Sequence, residues 1–244
     1  MLKKICAAVG GFVIRSCHDT GRIMQLFLDT AARLKNADAR ETIRQMSRLG
    51  ADSLPIVLMT ILFTGMVFAL QTATEFVRFG AASSVVPVLT GVVVAGRIGA
   101  AIAAELGTMK VTEQIDALKV MATNPITYLV VPRFLAAVLM MPVLIVFANG
   151  IGNIGGWVVA HYYAGISNFT YVNSIKVFAD IFDVTGGMLK SMVFGGIIAI
   201  VASHKGLGAK QGAEGVGLAT TESVVLSIIL IFIANYFLSA VLYV

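Results

Sequence analysis

Four long runs of the chain contain no Asp, Glu, Lys or Arg: Ser53 to Thr74, Phe79 to Gly96, Phe134 to Ile175 and Ser223 to Val244. A helix of roughly 20 such residues crosses the ~30 Å hydrocarbon layer of a bilayer. A further apolar stretch, Val184 to Ser203, carries Lys190 near its start, where a lysine can snorkel its ammonium to the interface. The pattern predicts five spans, over roughly 53–74, 84–103, 128–149, 185–203 and 222–243. The fold class expected is an all-α integral membrane protein, divided into an interfacial region at 1–50 and a transmembrane unit at 51–244.

Two stretches alternate with a helical period instead. In "GRIMQLFLDTAARLKN", Ile23, Leu26, Phe27 and Leu34 repeat opposite Arg22, Asp29 and Arg33, the pattern of an amphipathic helix lying along the membrane surface. The opening "MLKKICAAVGGFVIRSC" mimics a signal peptide, but Arg15 ends its apolar core and no A-x-A site follows, so it is read as the start of the same interfacial helix. Between the second and third spans, Val111, Ile115, Leu118 and Ala122 fall on one face of a helix predicted over Thr108 to Ala122. Lys110, Glu113, Asp116 and Lys119 lie off that stripe, with Lys110–Glu113 and Asp116–Lys119 at i,i+3, and Asn124-Pro125 stops the helix.

Composition agrees with a membrane setting: 58% hydrophobic against 13% charged residues, where a soluble domain carries about 25% charged. The net charge of +5 is unevenly spread. Fifteen of the 18 lysines and arginines fall in the first 50 residues, in 97–133 or in 204–221; Arg78, Lys176 and Lys190 are the remainder. The positive-inside rule then places the N-terminus in the cytoplasm of a cell membrane and accounts for the charge without nucleic acid.

The chain lacks the P-loop, H-E-x-x-H, C-x-x-C and nucleophile-elbow patterns. "GLGAKQGAEGVG" at 206–217 has glycines and a lysine without the P-loop spacing and reads as a flexible cytoplasmic connection. Cys6 and Cys17 read as reduced packing residues, and Asp180 and Asp183 as part of a short solvated outside helix. No catalytic residue, metal site or cofactor of this chain is expected. Apart from Arg97 and Lys190 near span ends, the spans carry almost no ionisable groups, which argues against a proton-coupled carrier or an intramembrane protease. Small residues cluster at Gly91, Gly96, Gly99, Ala100, Ala103 and Ala104 and at Gly150, Gly152, Gly155 and Gly156, fitting either packing within one chain or a seam between two copies. An exposed face of mixed charge at 105–123 suits a protein partner, and a cytoplasmic motor is the partner that the missing nucleotide site calls for.

"AGRIGAAIAAELGTMKVTEQIDALKVMATNPITYLVVPRFLA", Ala95 to Ala136, resembles the permease family named MlaE or YrbE, the membrane subunit of ABC systems that work with MCE proteins. "GMVFALQ" at 65–71 and "GAEGVGLATTESVV" at 212–225 resemble further family segments. The resemblance implies a homodimeric permease of five spans and an N-terminal interfacial helix, with phospholipid as the common cargo. It also implies a cytoplasmic ABC ATPase dimer, binding the ATP and Mg that this chain does not, and an MCE ring outside. The ATPase would grip a coupling helix at 105–123, with Glu105, Lys110, Glu113, Gln114, Asp116 and Lys119 as candidate contacts. Cargo would lie between copies of the first two spans, against Phe68, Leu70, Phe76, Phe79, Val85 and Val88. Many members carry Arg-Glu-Leu-Gly-Pro before the second span; here "SSVVP" puts Ser83 and Ser84 in place of the charged pair and keeps Pro87. A structural anchor that docks an MCE ring without conducting lipid is the alternative role.

Overall fold

The computed structural model describes residues 2–72, 86–178 and 181–243. Helix α1 (Leu2–Ala32) leads through a 3-10 turn (Leu34–Asn36) to α2 (Ala39–Met46), a π-helical turn (Ser47–Ala51) and α3 (Leu54–Thr72). Helix α4 (Val86–Val94) continues through a second π turn (Ala95–Gly99) into α5 (Ala100–Val111), followed by the short α6 (Gln114–Val120). A third π turn (Ile126–Val130) opens α7 (Val131–Tyr162), and α8 (Asn168–Phe178), α9 (Ile181–Leu207) and α10 (Gly212–Tyr243) complete the chain. The described residues contain no strand. Five stretches among them are long and apolar enough to cross a membrane: Ala39–Val67, Leu89–Val111, Ile126–Tyr162, Thr185–Leu207 and Gly212–Leu242.

Helix α7 is the axis of the bundle, packed against α3 and α9, while α9 packs on α5 and α10. Val57, Ile61, Ile98, Ile102, Leu106, Met141, Leu144, Phe194, Ile198 and Ile231 form the core between them. Glycines set how closely the helices approach. A methyl group at Gly155 would lie 2.5 Å from the Leu62 carbonyl oxygen, one at Gly65 would strike the Gly152 carbonyl, and one at Gly195 would lie 2.6 Å from the Ala137 carbonyl. The 150–156 cluster is therefore a packing face of one chain at Gly152, Gly155 and Gly156, and Gly91 and Gly99 lie against Phe194 and Ile198. A methyl group at Gly96 or Gly150 would have no neighbour within 4 Å among the described residues.

Several expectations are corrected. The third span does not end near residue 149, because its glycines seat α7 on α3 and the helix continues to Tyr162. Lys190 does not snorkel: it is 1% exposed, and its ammonium donates to Ser239 Oγ of α10 at 2.9 Å. Arg97 is not near a span end but sits in a π turn about 12 Å from Glu105 along the helix axis. The 206–217 segment is no flexible connection: only Gly208 to Gln211 separate α9 from α10, and Gly215 is packed against the Lys210 backbone. Cys17 is exposed instead of packed. Asp180 lies outside the described residues, and Asp183 falls at the start of α9.

The N-terminal helix does pack along the bundle through its apolar stripe. Leu26 is buried against Val130 and Ile200, with Ile23 and Phe134 beside them, and the Phe27 ring meets Phe134 edge-on at 6.2 Å. Arg33 Nη1 donates to Thr127 Oγ1 at 3.5 Å, tying the end of this region to the entry of α7.

Candidate functional site

The turn after α2, the end of α5 and the start of α7 meet at one basic end of the bundle. There Glu105, one turn and a half before α5 ends, holds two arginines from separate helices. Its Oε1 accepts from Arg48 Nη1 at 3.0 Å, and its Oε2 pairs with Arg133 Nη2 at 3.0 Å. Arg133 is 3% exposed and donates a further bond from Nη1 to the Leu129 carbonyl at 2.7 Å. Each carboxylate oxygen thus serves one arginine, and the pair stitches together the starts of the first and third spans and the end of the second. Arg48 lies in the first π turn, and Leu129 in the third. π turns interrupt the regular hydrogen-bond ladder and are enriched at functional sites.

Past Glu105 the expected continuous helix is absent. Helix α5 stops at Val111, Thr112 has near-zero ψ, and Glu113 adopts a left-handed conformation at φ 59°. That conformation costs a residue with a Cβ roughly 1–2 kcal/mol. The break re-aims the chain: Ile115 on α6 becomes buried and Leu118 packs on the main core, as the stripe requires, while Ala122 turns left-handed and exposed. The Lys110–Glu113 pair cannot form across the break. Lys110 Nζ instead reaches Asp116 Oδ2 at 2.9 Å, and Lys119 Nζ meets Asp116 Oδ1 at 2.8 Å. These hydrogen bonds, from Lys119 first and Lys110 second, hold the Asp116 carboxyl below its ordinary range. Gln114 Nε2 donates to Thr112 Oγ1 at 3.0 Å, bracing the same break.

Of the six charged or polar coupling candidates, Lys110, Asp116 and Lys119 are bound to one another, while Glu105 is held by the two arginines and Gln114 by Thr112. Beside its exposed charged side chains, the end of α6 presents an apolar pair: Val120 is 88% exposed and Met121, just past the helix, 74%. Sequence reasoning missed this pair because it followed the buried stripe. The available signal was two adjacent apolar residues lying off that stripe. Of the six cargo candidates, Leu70 is half-exposed near the end of α3, and Phe68 and Val88 lie on α3 and α4. Phe76, Phe79 and Val85, with Ser83 and Ser84, lie outside the described residues.

A family model described as Permease MlaE matches residues 42–241, all but the first 41 and last three residues of the chain. The chain belongs to the MlaE permease family. The probable ABC transporter permease protein slr1045 of Synechocystis is 45% identical, over 82% of this chain and 81% of its own length. A probable ABC transporter permease of Rickettsia bellii is 41% identical over 98% of both chains. The chloroplastic protein TRIGALACTOSYLDIACYLGLYCEROL 1 of Arabidopsis thaliana is 39% identical, over 82% of this chain and 61% of its length. This MlaE-family chain is thus an ABC transporter permease and a multi-pass membrane protein. The Glu105 cluster, α6 and Arg133 all fall inside the matched region.

Proposed function

We propose that this permease carries lipid, phospholipid being the expected class, as a homodimer in a cell inner membrane with its N-terminus and basic end in the cytoplasm. A separate ABC ATPase dimer binds ATP and Mg and drives it, and an MCE protein outside receives or delivers the lipid. The observation that carries the coupling half of this reading is the exposed Val120–Met121 pair, held out on a short helix whose own charges are mutually neutralised. An apolar knob on a rigid mount suits a groove in a protein partner, where a few well-packed side chains supply most of the affinity. Ile115 and Leu118 seat the mount on the core, and the Glu105 cluster ties three spans together just before it, so a displacement of α6 would be carried into the bundle as movement of packed elements. Lipid as cargo is supported by family membership and by the Arabidopsis relative, whose name is that of a glycolipid.

The deciding experiment reconstitutes the permease with its ATPase and MCE protein in liposomes. Lipid-stimulated ATP hydrolysis with transfer of labelled phospholipid to acceptor vesicles is expected. ATPase that ignores lipid, with no transfer, would instead make the chain a structural anchor.

A further inference from the structure

At the end of α7 opposite the basic cluster, the chemistry of the exposed surface changes over a short distance. Leu139, Val143, Val146, Phe147 and Ile154 are exposed on α7, fall within about 100° of one another around the helix, and form one apolar stripe about 22 Å long. Within two turns the stripe gives way to Trp157, His161 and Tyr162, whose rings contact one another. Trp157 and His161 lie parallel with centroids 5.8 Å apart, and Tyr162 stands edge-on to His161 at 5.0 Å. Aromatic rings with a polar atom concentrate where hydrocarbon meets headgroups, so this transition marks the level of the bilayer boundary.

The chain turns there and folds back under firm constraint. Ile166 N donates to the Ala160 carbonyl at 2.9 Å, with Gly165 left-handed at φ 68°, a helix-ending turn that leads directly into α8. Ser167 Oγ accepts from Thr170 N at 3.2 Å and caps α8. Trp157 Nε1 donates to Asn168 Oδ1, and Tyr171 OH donates to the Asn153 carbonyl, each at 2.9 Å. The first turn of α8 is therefore strapped to the end of α7 at the aromatic level. Beside exposed Asn168, Thr170 and Asn173, α8 sets large apolar side chains outward: Phe169 is 82% exposed and Val172 nearly half, next to Tyr162 and Tyr163 at 77% and 80%. From Tyr162 to Phe178 the sequence holds no acidic residue and one lysine, unlike a helix designed to stand in water.

We propose that the Tyr162–Phe169 turn and α8 form an interfacial anchor, laid in the headgroup layer of the leaflet at this end, with Phe169 and Val172 inserted toward the acyl chains. The occupant of the exposed face is the bilayer itself, because that face continues the lipid-facing stripe of α7 at the depth where aliphatic side chains yield to aromatic ones. The inference rests on the chain being a membrane protein and is independent of cargo or transport direction.

Two reporters test it in the full-length chain in nanodiscs. Trp157 is the single tryptophan, so emission of the unmodified protein reports its depth directly. Quenching by lipid spin-labelled at the headgroup, or brominated near the carbonyl end of the chain, should exceed quenching by lipid brominated near the methyl end severalfold. The second reporter is a nitroxide on Phe169→Cys in a Cys6→Ser, Cys17→Ser background. Oxygen, which concentrates in the bilayer, should relax it severalfold more than a water-soluble nickel complex. Dominant relaxation by nickel would place α8 in water and overturn the proposal. Protection from both would overturn it as well, by assigning the face to another polypeptide.

Discussion

The two ends of this bundle are fastened by different chemistry. At the basic end the fasteners are ionic: Glu105 between Arg48 and Arg133, and Asp116 between Lys110 and Lys119. At the aromatic end they are neutral, with Trp157 on Asn168, Tyr171 on a backbone carbonyl and stacked rings. The titratable groups respond in opposite senses. Lysine partners hold the Asp116 carboxyl low, whereas burial pushes the Tyr171 hydroxyl up. Ion pairs act over distance and can exchange partners, which suits the coupling role proposed for this end. Neutral bonds to backbone require fixed geometry, which suits an end that only has to hold its depth.

The comparison breaks most visibly at Glu105. Glu105→Ala leaves the buried Arg133 guanidinium without its counter-charge and should cost about 3 kcal/mol, since an orphaned buried charge is costly. Arg48→Ala removes only the exposed partner and should cost less than about 1 kcal/mol. Thermal unfolding in detergent distinguishes them; equal losses would mean that the cluster is a surface feature with no buried member.

Next in size is the loss of partner binding expected at α6. Val120→Asp combined with Met121→Asp should weaken ATPase association by at least about 2 kcal/mol, or roughly thirtyfold, while the unfolding midpoint stays put because both side chains are exposed. Glu113→Lys should weaken it less, through charge alone, because Glu113 belongs to the turn and not to the knob. Copurification of the ATPase with each variant measures this. A larger effect at Glu113 would return the contact to the charged face.

Much of this architecture is legible in the sequence. Uncharged runs locate the five spans because a bilayer enforces length and hydropathy on every segment that crosses it. The stripe of α6 is legible too, since Ile115 and Leu118 do face the core. The break at Glu113 is not, because a single left-handed residue costs little enough to leave the period of the surrounding pattern intact. Lys190 is misjudged for a different reason: Ser239, which accepts its hydrogen bond, lies 49 residues further along the chain. Arg133 and Glu105 are visible as motif residues, but nothing local shows that they meet. The far end of α7 is obscured by its glycines, which look like a loop and serve as a contact face for α3.

At the aromatic end a smaller effect is expected. Tyr171→Phe removes one hydrogen bond to the Asn153 carbonyl and should cost about 1 kcal/mol, confined to the strap. Hydrogen exchange over 166–178 should quicken while the global midpoint moves little. Uniform quickening across α3 and α7 would show that the strap holds the bundle itself.

The smallest effect expected is one of pH, and its sign follows from Asp116. The folded carboxyl is held below its ordinary value, so the unfolded chain takes up a proton first as pH falls. The contribution of the Lys119–Asp116–Lys110 bridge is fully present above the ordinary carboxylate range and is lost as pH falls through the lowered folded value. Across the neutral range it does not change, so the mount of Val120 and Met121 should remain fixed while the ATPase turns over. Hydrogen exchange at 112–121 should be flat through that range and rise only in acid, and the acid rise should disappear in Asp116→Asn. Because all three side chains are substantially exposed, added salt should weaken the bridge as well. Protection that falls within the neutral range would mean that another group, with an ordinary pKa near neutrality, sets the angle of α6.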